Sequence, residues 1–111
     1  MERNLNEMDK LEAYLKEQDI AYERIDHEDM MEKERKLVVE RGIHIEPMER
    51  HQIIAFDKDG RRTWDVICHR GSYGAERGLL EGMGDIFNEE VEGNLTAAEI
   101  IRRIEIQTGR R

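Results

Sequence analysis

The chain holds one cysteine, one proline and one tryptophan among 111 residues, and no long apolar run. Each scarcity removes a class of protein. Cys68, alone, cannot close an intramolecular disulfide, and a buried, inert strand thiol is its expected state. Structural zinc needs four ligands at closing spacings. Here there is no Cys-x-x-Cys pair, and His27, His44, His51 and His69 include no pair one helical turn apart. No stretch reads as a membrane span or a signal peptide, so a cytoplasmic protein is expected.

Aromatic residues are only 5% of the chain and charged residues 40%, which predicts one folded domain over 1-111 with a thin core. Positive charge is scarce where it would matter for nucleic acid. Residues 1–50 carry fifteen acidic and nine basic side chains, and residues 51–111 carry eleven and nine, within a formal net charge of -8. From Gly78 to Ile101 there is no Lys or Arg, while Glu81, Asp85, Glu89, Glu90 and Glu92 fall there. Such a field repels phosphate backbones, so direct nucleic-acid binding is disfavoured and a basic protein partner fits better.

Periodicity gives the elements. Leu5, Met8, Leu11 and Leu15 recur at helical spacing, with Asn4 or Asn6 as a cap. Ile20 to Ile25 reads as a strand. The charge-rich stretch 28-50 reads as an insertion: Met30, Met31, Leu37 and Val38 fit a helix ending at Gly42, or Leu37 to Val39 form a strand instead, with an extended run before Pro47. Two β-favouring runs then flank Asp59-Gly60, predicting a hairpin over 51–68. His51, opening its first strand, is expected at the surface or as a donor at the sheet edge. Tyr73, Leu79, Leu80 and Met83 predict a helix starting near Ser72, with Gly74, Gly78 and Gly82 every four residues along one face. At the end, Thr96-Ala97-Ala98-Glu99 is a capping box, with Leu95 and Ile100 as a staple and a helix from Ala97 to about Gln107. The fold expected is α+β: a small antiparallel sheet of three to four strands with an N-terminal and a C-terminal helix packed on it.

Asp57-Lys58-Asp59-Gly60 resembles part of a calcium loop, yet aligning Gly60 with the loop glycine puts Ala55 at the first ligand and Val66 at the closing glutamate. Adjacent Cys68 and His69 point to opposite faces of a strand, which undermines a nucleophile pair. Neither a metal, a cofactor nor a catalytic residue is assigned. Arg70-Gly71-Ser72-Tyr73-Gly74 lacks the Walker lysine and the dinucleotide glycine spacing. It is first a tight turn. If a small anion binds, Arg70, Ser72, Tyr73 and Arg77 are the residues that would hold it.

The segments Trp64 to His69, Gly71 to Gly74, Gly78 to Glu81 and Val91 to Thr96 resemble small proteins encoded by bacteriophages and mobile elements of Gram-positive bacteria, over about residues 51–106. That group offers no active-site motif to transfer, and residues 30–47 look like an addition to its pattern. The resemblance implies a genomic context, hence an anti-CRISPR-like inhibitor acting in the bacterial host cell. Such a protein would be noncatalytic and would set Glu81, Asp85, Glu89, Glu90 and Glu92 against the nucleic-acid-binding site of a host defence protein, such as a CRISPR nuclease. The alternatives are a small-ligand protein that binds or hydrolyses an anionic nucleotide signal at the Gly71-Gly74 turn, and a structural phage or homo-oligomeric scaffold protein.

Overall fold

A computed structural model describes residues 3–27, 49–87 and 91–109. The order is α1 (Asn6–Glu17), β1 (Tyr22–His27), β2 (Arg50–Phe56), β3 (Arg62–Ile67), a short 3-10 turn (Ala75–Arg77), β4 (Leu80–Gly84), β5 (Glu92–Leu95) and α2 (Ala97–Thr108). The strands form one antiparallel meander in the order β1-β2-β3-β4-β5. The fold is therefore α+β, with a helix towards each end and, among the described residues, five strands between. The helix, strand and extended run read within 28–48 lie outside the described residues, as do Glu89 and Glu90.

Both helices cover one face of the sheet. Alternation places Ile53 and Ala55 of β2 opposite Val66 and Trp64 of β3, and these pack with Met8, Leu11 and Leu15 of α1 and with Ile100 and Ile104 of α2. Each such side chain, fully buried, contributes roughly 1.5–3 kcal/mol of transfer free energy. Trp64 meets Phe87 edge to face, with centroids 6.5 Å apart. Ile54 is buried but outside this cluster, because it shares the opposite face with Phe56. On that face Gln52 Nε2 donates to Asp65 Oδ2 at 2.8 Å, and Arg50 and Arg62 complete the network, so the buried polar pair is satisfied.

The helix ends follow their local chemistry. Thr96 accepts from the Glu99 N–H while Glu99 accepts from the Thr96 N–H, the capping box expected from sequence. Leu5, with no side-chain cap, occupies the N-cap of α1; Asn4 Oδ1 instead accepts the Asn6 N–H at 3.0 Å. Glu7 joins the helices by accepting the Ala97 N–H at 2.8 Å.

The helix read from Ser72 is not there. Gly74 and Gly78 both have positive φ, 90° and 72°, which a right-handed helix cannot accommodate, so the chain turns around three 3-10 residues and leaves as β4. Gly82 lies in β4 under the Phe87 ring, which occupies the space a Cβ would fill. The four-residue glycine spacing thus marks two turn points and a ring seat instead of a helix face. None of the described helices is long and apolar enough to cross a membrane.

Candidate functional site

The turn after β3 is built from its own side chains. Ser72 Oγ donates to the His69 carbonyl at 2.7 Å and accepts the His69 N–H at 3.0 Å, while the Ser72 N–H returns to the same carbonyl. Tyr73 fixes the turn to the sheet: its N–H donates to Glu81 at 3.0 Å, and its carbonyl accepts from Asn94. The Tyr73 side chain stays outside, 65% exposed. With the hydroxyl of Ser72 engaged on both sides and only a three-residue 3-10 turn following, the turn offers no cradle of α-helix N–H groups.

What it offers is guanidinium. A cleft of about 370 Å³ brings residues 70–77 together with Arg3 from the chain start, so Arg70, Ser72, Tyr73 and Arg77 all line one concavity. Its described lining carries three arginines against one carboxylate, Glu76, in a protein of net charge -8. Arg77 is exposed and uses Nη2 to hold Asn94 Oδ1 at 2.6 Å.

Behind the cleft stands a polar chain, buried at Glu49 and His51 and exposed at Asp26. Arg3 binds Glu49 through Nε and Nη2, both at 2.7 Å, and Glu49 also accepts the Arg70 N–H at 3.3 Å. The hydrogen bond from Arg3 outweighs burial and holds the Glu49 carboxyl below its ordinary range. Glu49 Oε2 lies 3.4 Å from His51 Nε2, and His51 Nδ1 lies 2.7 Å from Asp26 Oδ1. Burial raises the Asp26 carboxyl, but His51 and Arg24 outweigh it and the net direction is down.

His51 corrects the sequence expectation, being 0% exposed instead of lying at a sheet edge, because its strand is interior to the sheet and its ring falls on the helix-covered face. His69 accepts the His51 N–H through Nδ1 at 3.5 Å, and burial lowers its pKa. Cys68 is fully buried, and burial pushes its thiol up, away from the thiolate a nucleophile needs. Arg3, Glu49 and His51 were not singled out as site residues, since 46 residues separate Arg3 from Glu49 and no local spacing connects them.

The acidic residues do not gather into one open surface among those described. Glu81 is half-buried and holds the Tyr73 N–H. Glu92 binds Arg103 through both oxygens at 2.7 Å. Asp85 is exposed, on the rim of a groove of about 660 Å³ beside Ile86, Arg102 and Ile106. Fold and site together define an α+β meander protein with an arginine-lined cleft beside its third strand. No protein-family model, curated protein or solved structure matches the chain.

Proposed function

We propose that this is a noncatalytic binding protein for a small phosphate-bearing anion, a nucleotide in the first instance, held at the turn of residues 70–77. The observation that carries the reading is the convergence of Arg3, Arg70 and Arg77 on one cleft of an otherwise acidic protein. Guanidinium forks match phosphate oxygens in pairs, and the exposed Tyr73 ring offers a flat apolar face for a base. The double engagement of the Ser72 hydroxyl favours holding a ligand over hydrolysing it.

The test is thermal unfolding against a panel of mononucleotides and cyclic dinucleotides at low salt. A ligand that binds the native state alone raises Tm by mass action. The expected result is a concentration-dependent rise that Arg70→Ala with Arg77→Ala removes; no shift with any member of the panel at millimolar concentration would overturn the reading.

A second reading is the anti-CRISPR-like inhibitor. It draws on the resemblance to phage proteins and on the exposed Asp85 carboxylate at the α2 groove. It predicts that the protein retains a basic, nucleic-acid-binding partner from a lysate expressing CRISPR effectors, more at low salt than at high. Retention unchanged by charge reversal at Asp85, Glu89 and Glu90 would remove the acidic surface as its basis.

A further inference from the structure

We propose that the chain Asp26–His51–Glu49, buried at His51 and Glu49 and solvent-exposed at Asp26, makes anion binding in the cleft proton-linked, an imidazolium at His51 strengthening the hold of Arg3 and Arg70 on the ligand. The proposal rests on the anion-binding reading above. Glu49, its side chain 7% exposed, is a counter-ion shared by both sides: Arg3 and the Arg70 N–H on the cleft side, His51 on the other. His51 is 1% exposed at its side chain, so a charge there is little screened by solvent.

Among the described residues, those facing His51 include Asp26 from β1, held by Arg24; Glu49 ahead of β2, held by Arg3; and His69 and Cys68 following β3. With one ring proton, His51 donates to a single carboxylate. With two, Nδ1 donates to Asp26 and the charged ring stands with Nε2 3.4 Å from Glu49 Oε2. Glu49 then directs more of its charge to the imidazolium and less to the Arg3 guanidinium and the Arg70 N–H, and the site gains one positive charge. Both effects favour an anion, so affinity rises as pH falls, and by reciprocity anion binding draws a proton into the protein.

Inorganic sulfate is the probe, because it does not titrate across the imidazole range. Its affinity is measured calorimetrically from about pH 8 to about pH 5.5 on the intact protein and on His51→Gln and His69→Gln. The expected result is an increase of about fivefold or more with falling pH, retained in His69→Gln and absent in His51→Gln. Should His51→Gln fail to fold, proton uptake on sulfate binding to the unaltered protein, from buffers of different ionisation heat, decides instead; zero uptake overturns the coupling. A slope that survives His51→Gln, or that His69→Gln abolishes, overturns it too. Sulfate binding without a pH slope overturns the coupling alone, whereas no binding at any pH overturns the anion site and the coupling with it.

Discussion

Arg103 and Glu92 face each other through two parallel hydrogen bonds of 2.7 Å, tying α2 to β5. Arg103 also lies 5.8 Å from the centre of the Phe87 ring, so one guanidinium joins helix, strand and core edge. The Glu92 side chain is only 15% exposed. Truncating its partner would leave a largely buried carboxylate without its fork, at a cost of about 1.5–3 kcal/mol. Arg103→Ala should lower the urea midpoint accordingly. Arg103→Lys should recover less than half, because an ammonium cannot reproduce paired N–H donors.

Gly82→Ala should destabilise by about 1–3 kcal/mol, since the added methyl meets the Phe87 ring and the packed core resists the shift. The strand conformation itself suits alanine, so the penalty is steric. Phe87→Leu in the same chain should therefore restore part of the loss, and a double-mutant cycle measures the coupling. Additive effects would show that the ring is not the obstacle.

Cys68 should be silent to thiol reagents in the native state. It is 0% exposed, its Sγ faces the Asn4 carbonyl at 3.8 Å, and burial raises its pKa. Labelling by a disulfide reagent at neutral pH should be about a hundredfold or more slower than in urea, because it awaits an opening of the core. Rapid native labelling would show that the chain start lifts readily from the sheet. Since Arg3 belongs to that segment, such lifting would also dismantle the cleft.

The parts of this fold that were legible in the sequence are those whose signal is local. The Leu5, Met8, Leu11, Leu15 stripe and the Thr96–Glu99 box each sit within one helix, and Asp59-Gly60 marks its hairpin through a single positive φ, 79° at Gly60. β4 was not legible, because Leu79, Leu80 and Met83 match a helical stripe and the backbone geometry of Gly74 and Gly78 decides against it. Of the site, the turn carrying Arg70, Ser72, Tyr73 and Arg77 was readable, since it is contiguous. Arg3, Glu49 and His51 were not, being joined only by the pairing of β1 with β2 and by the return of the chain start to the end of β3. Glu81 and Glu92 look like free surface charge in sequence and prove to be bonded, because their partners lie 8 and 11 residues away, beyond helical spacing.

Acid should unfold the protein in two stages of the same sign. Burial depresses the His69 pKa in the folded state, so below the unfolded imidazole value, about 6.5, the unfolded chain binds the extra proton and stability begins to fall with pH. The second stage belongs to carboxylates. Glu7 is held below its ordinary value by the Lys10 hydrogen bond and by the Ala97 N–H, Glu49 by Arg3, and Asp26 by His51 and Arg24 against the opposing effect of burial. Each contributes fully above its unfolded pKa, about 3.9 for Asp and 4.3 for Glu, and loses that contribution as pH falls through the lower folded value. Urea midpoints measured from about pH 8 to about pH 3 should decline gently through the imidazole range and steeply below the carboxylate values. His69→Gln should remove part of the gentle limb and leave the steep one. Glu7→Gln should flatten the steep limb while retaining an oxygen to accept the Ala97 N–H, so its loss at neutral pH reports the charge and not the hydrogen bond. A steep limb unaltered in both Glu7→Gln and Glu49→Gln would mean that these pairs do not govern acid stability.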